Sequence, residues 1–149
     1  MNQDDKPKRS ARNAAMDYLA RREHSILELT QKLSQKLYDD DAIGEAIESL
    51  QRDGLQSDER FSEHYARSRF NSGQGPFKIK HELRARGIPD ELISECLGFY
   101  EDDWVNLMKQ IRDRKFGGEI PDDPKQIMKQ LRFLQNRGFS AESVMRLFR

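Results

Sequence analysis

The 149-residue chain has few of the residues on which several protein classes depend. It contains one cysteine, so it cannot form an internal disulfide, and this fits a reducing cytosolic environment. Its longest apolar runs, such as residues 14–16, span three residues, whereas a membrane helix needs about 20. The first ten residues are polar and charged, unlike the apolar core of a secretory signal. We therefore expect a cytoplasmic protein that does not enter a membrane.

Residues that favour β-strands are also scarce. The chain has only two valines and one threonine, but it has 14 leucines, nine isoleucines and eight phenylalanines. Valine and threonine are enriched in strands, so their scarcity predicts an all-α fold. Apolar residues recur at helical spacing along the chain, as on one face formed by Ala11, Ala14, Ala15, Tyr18 and Leu19. Nine such stretches predict about nine helices.

These helical stretches repeat along the chain. Residues 83–93 and 134–144 share a leucine, a glycine four residues later, an apolar residue and the start of another helix. Residues 33–43 keep this frame, with Leu37 in place of the glycine. Such periodicity is typical of helical repeat proteins, in which each repeat packs on its neighbour.

The periodicity predicts an elongated array of three tandem three-helix repeats after a flexible N-terminal tail. The predicted boundaries are 1–8 for the tail and 9–55, 57–100 and 102–149 for the repeats. The alternative is one irregular helical bundle. Glycines that follow helical runs are expected to end helices, and prolines to start them: Gly54, Gly87, Gly138, Pro76, Pro89 and Pro124.

The charges of the chain are arranged in blocks, although 26 basic and 26 acidic residues give a net charge of zero. Residues 38–63 carry a net −7 and residues 89–103 a net −6, whereas residues 66–88 and 124–149 each carry a net +5. Complementary charge sets orientation and encounter rate between partners. Alternating blocks therefore favour docking along a charged polymer, although any single block is also typical of a solvated surface.

No motif supports an enzyme, a metal site or a cofactor. His24, His64 and His81 lack the spacing of metal ligands, and Cys96 falls on an apolar helix face without a second cysteine. The segment 73–76 precedes a helix, as phosphate-binding loops do. It has neither a preceding strand nor a following Lys-Ser or Lys-Thr pair. We therefore expect a protein that is not an enzyme and has no cofactor.

The first repeat also has the spacing of a helix-turn-helix DNA reader, with helices expected over 25–36 and 40–53. The second of these would enter the major groove, yet it carries five acidic residues and only Arg52 as a base. Because DNA phosphates repel such a helix, the charge argues against this interpretation.

The middle of the chain carries the motifs of one bacterial family. Residues 58–70 read DERFSEHYARSRF, and further matching positions follow at Gly73, Gly75, Pro76, Ile79, Leu83, Gly87 and Ile88. This stretch resembles the central signature of the RecX regulatory proteins. Apolar positions of the first repeat and residues 137–139 resemble the family as well, so the similarity spans about residues 10–148. Leu37 departs from the pattern, since a glycine is usual there.

The resemblance to RecX implies a regulatory role without catalysis. RecX proteins are arrays of three-helix repeats that bind the RecA recombinase, above all its filament on single-stranded DNA. They lower its ATP hydrolysis, strand exchange and co-protease activity, and they limit filament growth. We therefore expect a monomeric negative regulator whose partner is the RecA filament, with single- or double-stranded DNA as a second candidate ligand.

Basic residues of the second and third repeats are the candidate contacts for the filament or for DNA. In the second repeat they are Arg67, Arg69, Lys78, Lys80, Arg84 and Arg86, and in the third Lys109, Arg112, Arg114, Lys115, Lys129 and Arg132. Two alternatives stay open. One is a stand-alone DNA-binding module that uses the same basic faces, and the other is a helical scaffold for a different partner.

Overall fold

The computed structural model describes residues 9–149, and within them it contains nine α-helices and no β-strand. The helices are α1 (Ala11–Arg21), α2 (Ile26–Gln35), α3 (Asp40–Arg52), α4 (Asp58–Asn71), α5 (Pro76–Ala85), α6 (Asp90–Gly98), α7 (Trp104–Phe116), α8 (Pro124–Asn136) and α9 (Ala141–Leu147). The prediction of an all-α chain with about nine helices is therefore confirmed. The predicted flexible tail, residues 1–8, lies outside the described residues.

Residue types explain where several helices begin. Ser25 starts α2 with a capping box, in which its Oγ accepts a hydrogen bond from the Glu28 amide (3.1 Å) and the Glu28 carboxylate accepts one from the Ser25 amide (3.2 Å). Pro76 and Pro124 are the first residues of α5 and α8, where the missing N–H removes no helical hydrogen bond. Pro89 lies one residue before α6.

The chain divides into two compact units, each with a helical core of its own. Unit 1 comprises the described residues up to His64 together with Ala85–Pro89, and unit 2 comprises Tyr65–Arg84 and Asp90–Arg149. In unit 1, α1, α2 and α3 pack on one another around a set of buried side chains: Ala15, Leu29, Leu33, Ile43, Ile47 and Leu50. The spacing of these residues gives each helix one apolar face, as the sequence predicts.

A network of buried and half-buried polar groups in unit 1 joins the start of α2 to the segment that leads into α4. Asp58 Oδ1 accepts hydrogen bonds from the Ile26 amide (2.9 Å) and from Gln56 Nε2 (3.0 Å). Gln56 is only 2% exposed, and its amide also donates to the His24 carbonyl (3.3 Å). A side chain from outside α2 thus satisfies one of the free amides at the N-terminus of that helix.

In unit 2, α7, α8 and α9 pack around a second set of buried side chains: Met108, Leu134, Phe139, Val144 and Leu147. Phe70 stacks on Tyr100 with ring centroids 4.5 Å apart, and it meets Trp104 edge-on at 5.3 Å. Cys96 is buried, and its thiol donates to the Ile93 carbonyl (3.4 Å). This burial confirms the interpretation of Cys96 as a core residue.

Three turns that end the second helix of successive three-helix sets share one backbone conformation. Leu37, Gly87 and Gly138 have φ values of 72°, 80° and 103°. This left-handed region costs a residue with a side chain roughly 1–2 kcal/mol, whereas glycine adopts it readily. Leu37 therefore adopts the same left-handed backbone conformation as the two glycines, although this conformation is less favourable for leucine.

The Gly138 turn in unit 2 packs directly against the first turn of α5. A Cβ added to Gly138 would lie 2.6 Å from Lys78 Cβ and 2.9 Å from the Gly75 carbonyl oxygen. Main-chain hydrogen bonds join the two segments, because the Gly75 amide donates to the Arg137 carbonyl (2.5 Å) and the Phe77 amide to the Gly138 carbonyl (3.0 Å). Glycine is thus required at this turn for its size as well as for its φ.

The Gly87 turn makes the corresponding contact in unit 1, against the first turn of α2. A Cβ added to Gly87 would lie 2.8 Å from Leu27 Cβ and 3.2 Å from Leu27 Cδ2. Arg86, beside this glycine, places its Nε 3.9 Å from Glu28 Oε2 on the same helix. The two glycines therefore mark places where a turn of one three-helix set packs on a helix of the preceding set.

Candidate functional site

Six of the twelve predicted contact residues are exposed basic side chains of unit 2. No acidic side chain in the described part of the chain forms an ion pair with them: Arg67, Lys109, Arg114, Lys115, Lys129 and Arg132. Lys78 and Lys80 are half-buried, and Lys78 Nζ lies 3.5 Å from the Asn136 carbonyl oxygen. A cation without an internal carboxylate partner is available to an anion on another molecule.

Two further predicted contact residues of unit 2 already have carboxylate partners. Arg69 Nε donates to Glu82 Oε1 (3.1 Å). Arg84 forms a two-pronged pair with Asp90, with hydrogen bonds of 2.9 Å and 3.3 Å. The hydrogen bond from Arg84 lowers the pKa of Asp90 below its ordinary value. Both arginines are therefore already paired with a carboxylate of unit 2.

Arg86 and Arg112 lie apart from the exposed set. Arg86 belongs to unit 1, where it faces the Glu28 carboxylate. Arg112 is only 7% exposed, and its Nη2 and Nε both donate to Asp113 Oδ1 (2.8 Å and 3.1 Å). Reversing the charge of either arginine would break an internal pair, so neither position isolates a contact with a partner.

A groove of about 340 Å³ in unit 2 is lined by three basic side chains and one aromatic ring. Lys115 Nζ lies 5.6 Å from the centre of the Phe133 ring, and Arg137 Cζ lies 5.4 Å from it. Arg137 also donates a hydrogen bond to the Ser72 carbonyl (3.3 Å) at the wall of the groove. Arg114 lines the same groove, and none of the described residues that line it is acidic. We call this site the basic groove (Arg114, Lys115, Phe133 and Arg137).

The chemistry of the basic groove suits an anion. Cations are attracted to the face of an aromatic ring, so Phe133 helps to hold Lys115 and Arg137 in place. A guanidinium presents several N–H donors in a fixed plane that matches a phosphate or a carboxylate. The groove can therefore take a phosphate group of a nucleic acid or an acidic side chain of a protein.

A second basic surface lies on α8. Lys125, Lys129 and Arg132 follow one another at spacings of four and three residues, which places them on one face of the helix. They line a shallow depression together with Met128, whose side chain is 45% exposed. We call this surface the α8 basic face (Lys125, Met128, Lys129 and Arg132).

Arg137 and Lys125 complete these two surfaces, although sequence reasoning did not select them. Arg137 stands directly before a helix-ending glycine, and Lys125 directly follows a helix-starting proline. The net charge of +5 over residues 124–149 was the available signal. Their grouping depends on the packing of α7 against α8, which residue types alone do not specify.

His24 is the buried histidine of the described chain. Its Nδ1 donates to the Arg22 carbonyl (3.0 Å), and its Nε2 has no partner. Burial lowers the pKa of His24 below its ordinary value. Among the described residues no three His, Cys, Asp or Glu side chains are placed to hold a metal ion. No helix in that part of the chain is long and apolar enough to cross a membrane.

Comparison with protein-family models matches the chain over three consecutive stretches. The matching models describe the first three-helix domain of RecX over residues 11–50, the second over 57–97 and the third over 101–148. These matches, with the nine helices of the described residues, confirm the prediction of three tandem three-helix repeats. The boundaries at 9–55, 57–100 and 102–149 stay predictions.

Individual relatives agree with the family models. The chain is 42% identical to the regulatory protein RecX of Halorhodospira halophila, with 91% of this chain and 84% of that protein aligned. It is 43% identical to the regulatory protein RecX of Pseudomonas entomophila, with 93% and 89% aligned. Among solved structures, RecX from Lactobacillus salivarius superposes with a TM-score of 0.75 at 27% identity, covering 92% of this chain and 91% of that one.

Proposed function

The chain belongs to the RecX family of regulatory proteins, and we propose that it is a negative regulator of the RecA recombinase in the cytoplasm. It binds the RecA filament on single-stranded DNA. It lowers the ATP hydrolysis, strand exchange and co-protease activity of the filament, and it limits filament growth. It acts through charged surface contacts and catalyses no reaction itself, so its role lies in the control of homologous recombination, DNA repair and the SOS response.

One observation identifies the surfaces that are proposed to contact the filament. Unit 2 presents exposed cations that lack internal carboxylate partners, and most of them lie in the basic groove or on the α8 basic face. A cation without an internal carboxylate partner can bind an anion of the filament without exchanging one partner for another. The two unpaired groups are therefore the proposed contacts with the filament, and Arg69, Arg84, Arg86 and Arg112 are proposed to have structural roles.

The mechanism follows from contact at several points. A regulator with two separate basic surfaces can bind neighbouring subunits of a filament at once, and the second contact then forms at high effective concentration. Binding to the filament is thus much stronger than binding to a free subunit. A regulator that bridges neighbouring subunits restrains the movements between them that turnover needs, and this lowers ATP hydrolysis without any catalytic residue.

The test is the rate of ATP hydrolysis by RecA on single-stranded DNA, measured while this protein is added at substoichiometric levels. We expect the rate to fall. Lys129→Glu with Arg132→Glu should raise the half-inhibitory concentration by about tenfold or more, because two unpaired contacts become repulsive. Lys36→Glu with Arg52→Glu, which makes the same charge change at exposed residues of unit 1, is the matched control.

Circular dichroism establishes that both double variants keep their helices. Equal inhibition by the two variants would remove the α8 basic face from the proposed contact. Unchanged ATP hydrolysis at every level of the wild-type protein would contradict the regulatory proposal as a whole.

The basic groove supports a second candidate function, a stand-alone DNA-binding module. Its cations and its aromatic ring are the components with which proteins bind single-stranded nucleic acid. Fluorescence anisotropy with labelled DNA and no RecA distinguishes the two functions. A DNA-binding module binds bare DNA with an affinity that falls steeply with salt, and Arg114→Glu with Lys115→Glu abolishes that binding. A filament regulator inhibits RecA at concentrations too low to coat DNA.

A further inference from the structure

A second groove, of about 410 Å³, lies in unit 1 at the place that corresponds to the basic groove of unit 2. In both grooves the first helix of the three-helix set contributes four lining residues at positions i, i+3, i+4 and i+7: Ala14, Asp17, Tyr18 and Arg21 of α1, and Leu107, Gln110, Ile111 and Arg114 of α7. Residues with this spacing share one face of a helix. The two grooves therefore lie on equivalent faces of α1 and α7.

Two basic residues occupy matching positions in the two grooves. Lys36 directly follows α2 and Arg137 directly follows α8, and each stands before a residue with positive φ. Arg21 and Arg114 form the other matching pair, since both lie in the last turn of the first helix of their set. Neither Arg21 nor Lys36 forms an ion pair with a described side chain. The unit 1 groove therefore has the cations of an anion-binding site.

The two grooves differ at one position of the first helix, where unit 1 has Asp17 and unit 2 has the uncharged Gln110. The Asp17 carboxylate accepts a hydrogen bond from Arg9, which lines the same groove. The pKa of Asp17 is lowered chiefly by this hydrogen bond and further by the positive charges of Arg9 and Arg21, so Asp17 is ionised at neutral pH. An ionised carboxylate repels any second anion that enters the groove.

We propose that Asp17 confines anion binding to the basic groove of unit 2, because it gives the equivalent groove of unit 1 a carboxylate of its own. This inference rests on the proposed function, in which the basic groove contacts the filament. A filament presents the same anionic groups on every subunit, so two open grooves of one kind would let the regulator bind through either of them. Discrimination between such alternatives needs a repulsive element, and Asp17 supplies it. Lys36 then makes no contact with the filament in the wild type, as its use in the charge control requires.

The test measures binding of a fluorescently labelled single-stranded oligothymidylate by anisotropy, without RecA and in about 20 mM salt. Every variant carries Arg114→Glu with Lys115→Glu, so that the basic groove does not contribute. In this background Asp17→Asn removes the internal anion with little change of shape, and we expect the affinity for the oligonucleotide to rise by about fivefold or more. Arg21→Gln, added to Asp17→Asn, should cancel the gain, because it removes one of the two matching cations.

Asp53→Asn in the same background is the matched control. Asp53 is also an exposed carboxylate of unit 1 that pairs with an arginine, Arg12 (2.5 Å), but it does not line this groove. Its neutralisation changes the net charge of the chain by the same amount. Equal gains for Asp17→Asn and Asp53→Asn would overturn the proposal, as would the absence of a gain or a gain that survives Arg21→Gln. Because the assay contains no RecA, its result is separate from whether the chain regulates the filament.

Discussion

The contact at Gly87 in unit 1 and the contact at Gly138 in unit 2 have the same geometry but different chemistry. In unit 1 the start of α2 is bound by side chains, because Asp58 accepts the Ile26 amide and Gln56 lies buried beside it. In unit 2 the start of α5 is bound by main-chain atoms of residues 137 and 138. A repeat can therefore be held against its neighbour in two ways. Specific side chains can form the hydrogen bonds, or a glycine, which has no side chain, can let main-chain groups approach and form them.

The largest expected effect breaks the main-chain contact. Gly138→Ala places a Cβ 2.6 Å from Lys78 Cβ and 2.8 Å from the Lys78 amide nitrogen, and it also puts alanine at a φ of 103°. Because backbone atoms cannot move aside, we expect the free energy of unfolding to fall by about 3 kcal/mol or more, measured by urea denaturation.

Gly54→Ala is the matched control for that substitution. Gly54 has a φ of 71°, but an added Cβ would meet nothing within 4 Å. Only the backbone strain applies, so the loss should be about 1 kcal/mol. Equal losses for the two variants would mean that close packing contributes nothing to the Gly138 contact.

A smaller effect tests the side-chain contact of unit 1. Gln56→Ala removes donors to the His24 carbonyl and to Asp58 Oδ1 in a buried site, so we expect a loss of about 1–2 kcal/mol in the free energy of unfolding. Gln74 is a buried glutamine of unit 2 whose Oε1 has no partner and whose Nε2 makes one long hydrogen bond, of 3.5 Å, to the Ser72 carbonyl. Gln74→Ala should therefore cost about 0.5 kcal/mol or less. A larger loss in the free energy of unfolding for Gln74→Ala than for Gln56→Ala would contradict this contrast between the two units.

The smallest effect concerns pH and is again confined to unit 1. The pKa of His24 is lowered chiefly by burial and further by the charges of Arg22 and Lys32, against the opposing effects of the Arg22 carbonyl and of Glu28. Folded His24 thus stays neutral at pH values where unfolded histidine, with an ordinary pKa of 6.5, binds a proton. The unfolded state then binds more protons, so stability falls as pH drops from about 7.5 to about 5.5.

His24→Asn provides the measurement for this pH dependence. The asparagine amide can keep the hydrogen bond to the Arg22 carbonyl, but it does not titrate. Thermal unfolding of the wild type should show a lower Tm at the lower pH, and the variant should show a smaller decrease. An identical decrease in both proteins would assign the pH dependence to other groups.

Much of the fold could be predicted because it depends on local signals. Scarce valine and threonine indicated helices, and the frame of Gly87 and Gly138 indicated repeats. The close approach behind these glycines could not be predicted, since Lys78 and Leu27 are distant from them in sequence. Leu37 shows the difference. Its place in the frame of the repeat is visible in the sequence, but its exposure among the described residues is visible only in the structure.

The candidate site was predictable in composition but not in arrangement. Clusters of basic residues are visible in the sequence, and six of the twelve selected side chains are exposed without an acidic partner among the described residues. Whether a basic side chain is buried depends on which face of its helix packs against the core. Arg112 lies on such a face and is buried. Partners such as Asp90 for Arg84 come from a neighbouring helix, so pairing also depends on packing.

The main-chain contact at Gly138 has a consequence for how such a chain can lengthen during evolution. A duplicated segment that docks through peptide groups needs no matching set of side chains on its new neighbour, so a copy can pack correctly as soon as it arises. Side chains around the contact are then free to diverge toward new partners, provided that one glycine persists. Any side chain at that glycine would prevent the close approach that these main-chain hydrogen bonds need.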